Sequence, residues 1–152
     1  MFRLPKKMLF AIEAVLDIAY NAVDTPVQSA EITKRQGIPR RYLEQVLQQL
    51  VRVDILTGVR GPRGGYRLAR ERRRITVGEI VRAIRSLETA ADEEDALPPG
   101  SRLGQEIVRP LWLELQEEAV RRLDGLSIED LCNQARDQGI PRERAAPVDF
   151  SI

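Results

Sequence analysis

The chain has 152 residues, 43% hydrophobic and 31% charged, with no histidine and one cysteine, and its formal net charge of +1 hides a division: 17 Lys+Arg against 8 Asp+Glu in residues 1–86, then 7 against 15 in residues 87–152. Without histidine there is no Ser-His-Asp or Cys-His nucleophile and no His-ligated metal. One cysteine makes no internal disulfide, no CxxC zinc site and no cysteine-ligated cluster within a single chain. A basic half followed by an acidic half points to a polyanion-binding module joined to a part that does not touch the polyanion.

Met8 to Val23 reads as a helix, with Met8, Ile12, Val15, Leu16 and Ala19 on one face. "DTP" at 24–26 breaks it. Ser29 is placed to cap a second, short helix running to about Gln36, with Glu31 in its first turn and Gly37 ending it. Pro39 fits the first position of a third helix, whose apolar stripe is Leu43, Val46, Leu47 and Leu50 and whose outer face carries Arg41, Glu44, Gln45, Gln48 and Arg52. Two helices joined by a tight Gly-containing turn form a helix-turn-helix.

Two short strands are predicted next, Ile55 to Arg60 and Tyr66 to Ala69, with Ile55 and Val59 alternating about Thr57 in the first. "GPRGG" between them is a hairpin loop. Helix-turn-helix plus hairpin is a winged helix, so the fold class is mainly α with a small β-hairpin wing. A fourth helix starts at Thr76, where Thr76 with Glu79 forms a capping box and Ile75 with Ile80 a hydrophobic staple, and runs to about Leu87. Residues 88–101, acidic and broken by Pro and Gly, read as a linker. A long helix follows, with Leu103, Ile107, Leu111, Leu115 and Ala119 on one face and Val108, Trp112 and Leu123 beside it. Pro110 lies inside that pattern and either starts the helix or kinks it. Ser127 with Asp130 starts a last helix, stapled by Leu126 and Leu131. From Asp137 a frayed tail is expected. The units are then a winged-helix domain at 1–87, a linker at 88–101, dimerisation helices at 102–136 and a disordered tail at 137–152.

The segment RGPRGGYRLARERRR, Arg60 to Arg74, holds seven arginines and three glycines. A nucleotide-binding P-loop needs a Lys followed by Ser or Thr and then a helix facing the phosphates. Here no such Lys exists, the segment after the glycines reads as strand, and GxGxxG fails on spacing. The context favours a nucleic-acid backbone. Arg60 and Arg63 at the wing tip reach phosphates or a minor groove, while Gly61, Gly64 and Gly65 let the backbone come close. In the third helix Arg41 is placed to donate to guanine, Gln45 to adenine, and Glu44 to accept from cytosine. Arg40 and Gln48 complete the expected DNA-binding set. Arg70 to Arg74 reads as a solvated basic flank. Trp112 reads as core or dimer interface, and Cys132 as a buried free thiol. No catalytic constellation is present, and neither an enzyme nor a cofactor nor a metal site is expected. No apolar run spans a bilayer and no signal-peptide core is present, so the expected location is the cytoplasm, without membrane contact.

The strings "YLEQVLQQL" and "VRGPRGGYRLAR", with "LDIAYNA", "RQGIPRRYLEQ", "ITVGEIVRAI" and "LWLEL…LSIEDL", resemble the Rrf-two family of bacterial transcriptional regulators over about Met8 to Ala135. The resemblance implies a winged-helix homodimer binding double-stranded DNA, its long helix (Ile107 to Leu123) paired with its mate, and Ile107, Leu111, Trp112, Leu115, Ala119 and Leu123 at that interface. It implies DNA contacts from Glu44, Gln45 and Arg60, with Arg41 in the leading turn. Cluster-bearing members carry three cysteines between the fourth helix and the long-helix Trp, whereas residues 88–111 have none. Asp54 stands where the family usually has glycine, and Gly58 where Ser is common. The sequence reading is thus a cluster-free repressor on a pseudo-palindromic operator. The alternative is an interaction module whose DNA binding depends on a partner enzyme or small-molecule effector. The signal stays open among a small molecule, a partner protein and Cys132 oxidation.

Overall fold

A computed structural model describes residues 5–22, 24–91 and 100–143. Helix α1 spans Lys6–Asn21, α2 Ser29–Gln36, α3 Arg40–Arg52, strand β1 Leu56–Val59, β2 Gly65–Leu68, and α4 Val77–Ala91, with a short 3-10 turn at Arg72–Arg74 before α4. Residues 102–124 form one continuous helix, made of a π turn at Gly104–Val108 leading into α5, Arg109–Asp124. Helix α6 is Ile128–Asp137. The predicted winged helix is present, with the strands antiparallel and Leu56 opposite Leu68.

Helix α1 is the hub, packing against α2, α3, α4, α6 and β2. That explains why its buried set is wider than one stripe. Met8, Ala11, Ala14, Val15 and Ile18 are buried, while Ile12, Leu16 and Ala19 of the expected face are only half-buried at its edge. The α3 stripe is as expected: Leu43, Val46, Leu47 and Leu50 are all fully buried. Within the first strand the alternation differs. Ile55 and Leu56 face the core, whereas Val59 is exposed near the wing tip, beyond the reach of the core.

The helix starts follow two patterns. Helices α2, α4 and α6 open with an acid that reaches back to the chain: the N–H of Gln28 donates to Glu31 (2.8 Å), that of Thr76 to Glu79 (3.4 Å), that of Ser127 to Asp130 (2.9 Å). The cap of α2 is therefore Gln28, one residue before the expected Ser29. Helices α1 and α3 open after Pro5 and Pro39, with no side-chain cap and no acid in the first turn. Pro39 precedes α3 instead of occupying its first position. Gly37 closes α2 in the left-handed conformation (φ 67).

Pro110 neither begins nor ends the long helix. Its ring removes an N–H and crowds the carbonyl four residues back. The chain meets this by widening the preceding turn: the N–H of Arg109 donates to the carbonyl of Gly104, five residues back, and the helix passes through Pro110. Upstream, Ser101 starts the helix, its Oγ accepting from the Gly104 N–H at 3.2 Å.

Three expected boundaries move. Helix α4 runs to Ala91, so the first part of the predicted linker is helical, and residues 92–99 lie outside the described residues. Helix α6 is not separate from the winged-helix core. Ile128 and Cys132 are buried in it, and the N–H of Val77 donates to Leu126 (2.9 Å) while that of Ile128 donates to Ile75 (2.8 Å). The chain after Asp137 is tied down as far as Glu143: the Tyr20 hydroxyl donates to the Ile140 carbonyl, the Glu143 N–H to Asn21 (3.0 Å), and the Arg142 guanidinium lies over the Tyr20 ring. The remainder of the predicted tail, residues 144–152, lies outside the described residues.

Candidate nucleic-acid interface

The inner face of α3 is fixed by its leucines and by Gln49. That side chain is buried, and its amide donates to the Ala83 carbonyl and to Ser86 Oγ, both at 3.2 Å. This leaves Arg40, Arg41, Glu44, Gln45 and Gln48 exposed together on the outer face. Arg40 and Glu44 pair along the helix at 3.2 Å, both well exposed, an interaction worth little in water. Arg41 has no ion-pair or hydrogen-bond partner among the described residues, and neither do Arg60 and Arg63.

Helix α2 is held against α1 by a buried charge. Asp17 has no side-chain exposure. It accepts from Arg35 through Nε (2.9 Å) and Nη2 (2.7 Å) and from Gln36 at 2.8 Å. The Asp17 contact raises the Arg35 guanidinium above its usual value, against the opposing effect of burial. These bonds fix the last turn of α2 to α1. Sequence reading missed them, although a lone Asp between Leu16 and Ile18 in an apolar helix is the kind of signal that marks a buried partner. Gln49, between the apolar positions Val46 and Leu50, was missed in the same way.

The wing tip exposes Arg60, Gly61 and Arg63, as predicted. Gly61 (φ 110) turns the chain. Gly64 serves a different end from the one expected. It is buried inside the turn, where a Cβ would lie 2.2 Å from the Val59 carbonyl oxygen. Of the two tip glycines, Gly61 and Gly64, only Gly61 is exposed. Gly65 is likewise internal, its missing Cβ making room for the Val27 carbonyl at 2.5 Å. Val27 pairs with Tyr66 through two bonds of 3.0 and 2.8 Å, a third rung that ties the wing to the chain before α2.

The flank after the wing is only partly solvated. Arg70 is a clasp: it donates to the Asp54 carbonyl (3.3 Å), the Arg74 carbonyl (3.3 Å) and the Glu79 carboxylate (3.1 Å). It holds the α3–β1 turn to the start of α4. Arg73 pairs with Glu71 at 2.6 Å, and Arg72 turns inward toward Cys132 and Glu129. Burial pushes the Cys132 thiol up, with Arg72 opposing, and the thiol is a core group as expected.

On the long helix only Val120 is buried, and Leu123 is half-buried against the core. Leu103, Ile107, Val108, Leu111, Trp112, Leu113 and Leu115 are exposed, from 74% at Leu103 to 39% at Leu115. Trp112 is therefore not a core residue of the protomer. Two pairs join the helix to α4: Arg85 with Glu117 at 2.7 Å, and Arg82 with Asp124, whose second contact is 2.8 Å. The Arg82 hydrogen bonds hold the Asp124 carboxyl below its usual range. Among the described residues no three His, Cys, Asp or Glu side chains converge as metal ligands, and no helix is long and apolar enough to cross a membrane.

A hairpin wing beside an exposed, cation-bearing second helix defines a winged-helix DNA-binding regulator. The sequence model of the family described as Rrf2, iron-dependent transcriptional regulator, matches residues 4–134. The chain is 36% identical over 131 residues to the HTH-type transcriptional regulator IscR of Xenorhabdus nematophila, covering 85% of this chain and 78% of that one. Its fold matches that of T. potens IscR with a TM-score of 0.71 and 27% identity, covering 92% and 93% of the two chains. It matches CymR, the global cysteine regulator of B. subtilis, with a TM-score of 0.65 and 25% identity, covering 88% and 98%. The chain belongs to the Rrf2 family of transcriptional regulators and is not an enzyme. An iron–sulfur cluster does not fit the residues present: the one cysteine is enclosed in the core on α6, and residues 88–111 contain none.

Proposed function

We propose that this regulator represses transcription by binding a pseudo-palindromic operator as a homodimer, without a cluster. The observation that carries the DNA-binding half is the set of guanidinium groups left without partners on one helix face and the wing tip, Arg41, Arg60 and Arg63. Arg41, Glu44 and Gln45 read base edges, and Arg60 and Arg63 hold backbone or minor groove. The dimer half rests on the exposed side of the long helix. Seven large apolar side chains, Leu103 to Leu115, stand in water in the isolated protomer, and such a patch marks an interaction surface. Ile107, Leu111, Trp112, Leu115 and Ala119 meet their counterparts across a two-fold axis, with Leu123 at the margin. Two α3 helices then enter successive major grooves about one DNA turn, or a multiple of it, apart.

The test is fluorescence anisotropy with the protein's own promoter duplex and a random duplex across a salt series. Preference for the promoter and affinity that falls steeply with salt are expected. Arg60→Ala lowers affinity for both duplexes. Glu44→Ala relaxes preference at one base pair, by about 1–3 kcal/mol. Leu111→Asp with Leu115→Asp converts the dimer to a folded monomer in sedimentation. Equal binding to both duplexes refutes the operator reading.

A further inference from the structure

We propose that Lys6, Lys7 and Tyr42 form an additional phosphate-contact strip that extends the DNA footprint beyond the helix-turn-helix and the wing. The inference rests on the DNA-binding reading above and names residues which that reading does not use.

The strip is built by one aromatic contact. Phe10 of α1 and Tyr42 of α3 lie with ring centroids 6.2 Å apart. This sets the second turn of α1 beside the first turn of α3, the part of a recognition helix that approaches base edges. Lys6 and Lys7 are four and three residues before Phe10, so they lie on the same side of α1, one turn nearer its start. Lys6 is exposed, Lys7 half-exposed, and Tyr42 42% exposed. Among the described residues neither lysine has an ion-pair partner and the Tyr42 hydroxyl has no hydrogen bond. Two unpaired lysines on α1 and the unpaired Arg41 on α3 thus flank one exposed hydroxyl donor.

The placement of the charges argues against a purely structural role. Cations in the first turn oppose the helix dipole. Helices α2, α4 and α6 avoid this and carry an acid there instead: Glu31, Glu79 and Asp130. Among the described α-helices only α1 and α3 pair two cations with an acid-free first turn, Lys6 and Lys7 in one, Arg40 and Arg41 in the other. A phosphate backbone running past the start of α1 satisfies the two lysines, which have no partner of their own. The Phe10 contact holds the Tyr42 ring, so its hydroxyl donates to a phosphate oxygen from a fixed position. Such contacts carry no sequence information, and they add affinity and salt dependence.

The experiment compares the intact protein with Lys6→Gln/Lys7→Gln and Tyr42→Phe, using promoter and random duplexes over a salt series, with circular dichroism confirming the fold. The lysine pair variant is expected to lose affinity for both duplexes by the same factor, and its log–log salt slope to fall by about 0.9 for each contact removed. Tyr42→Phe is expected to lose affinity with the slope unchanged. Phosphate-ethylation interference should vanish at positions flanking each half-site in the lysine variant, and at the one phosphate that the hydroxyl contacts in Tyr42→Phe. An unchanged slope and footprint in the lysine variant, with Arg41→Ala and Arg60→Ala still weakening binding, overturn the strip and leave the DNA-binding reading intact. No effect from Arg41→Ala and Arg60→Ala either would overturn both.

Discussion

Arg35 donates to both carboxylate oxygens of Asp17, at 2.9 and 2.7 Å, in a site where the acid has no exposed side-chain surface. This pair is the join between the central helix and the helix-turn-helix. Removing one member leaves the other charge buried alone, and such losses run to about 3–5 kcal/mol. Asp17→Ala is expected to lower the unfolding free energy from urea titrations by that measure, since Glu31, at 3.6 Å, is the one acid left beside Arg35 among the described residues. A loss under about 1 kcal/mol would mean that the pair is not a structural anchor.

Asp54 holds a left-handed backbone conformation, φ 59, between α3 and β1. A side chain there costs energy that glycine avoids, about 1 kcal/mol. The Arg70 clasp reaches the Asp54 carbonyl and not its side chain, so it survives the change. Asp54→Gly should therefore raise the melting temperature by about 2–4 °C, readable by calorimetry.

Two strand glycines give opposite expectations. A Cβ on Gly65 would sit 2.5 Å from the Val27 carbonyl, whereas one on Gly58 meets nothing within 4 Å. Gly65→Ala is expected to cost about 1–3 kcal/mol through overpacking and to weaken DNA binding by displacing the wing. Gly58→Ala is the control, neutral in both assays. Equal behaviour of the two variants would refute the third rung as the wing's anchor.

Burial raises the Cys132 thiol above the ordinary range of about 8.5. The folded state therefore keeps its proton at pH values where the unfolded chain has lost it. Its stabilising contribution is complete below that ordinary value and is lost as the pH rises through the raised one. Stability should decline on the alkaline side, and Cys132→Ala should flatten that decline in urea titrations run at a series of pH values. The thiol should also resist alkylation until the protein unfolds. Rapid alkylation of the native protein would contradict its place in the core.

Much of this architecture was legible because local rules and tertiary packing agree. The α3 leucines, the Gly37 turn, the Thr76–Glu79 and Ser127–Asp130 boxes and the exposed arginines of the wing tip all lie where periodicity and capping chemistry put them. The misreadings have a common cause: they depend on partners far away in sequence. Asp17 needs Arg35, Gln49 needs Ala83 and Ser86, and Gly65 needs Val27. Arg70 looked like one more solvated cation because nothing nearby announces Asp54 or Glu79 as its acceptors. The α1 stripe was too narrow because a helix enclosed on several sides has no single apolar face. The aromatic contact joining Phe10 to Tyr42 gave no sequence signal at all.

The wide turn before Pro110 has a geometric consequence for the long helix. Fitting one extra residue into a turn rotates everything upstream by about 100° relative to an unbroken helix. Leu103 and Ile107, which the four-residue spacing lines up with Leu111 and Leu115, are swung off that line. The apolar surface thereby turns a corner, facing one way along Leu111 and Leu115 and another along Leu103 and Ile107. A helix without the wide turn offers a partner one apolar face; this one offers two, set at an angle around the same axis.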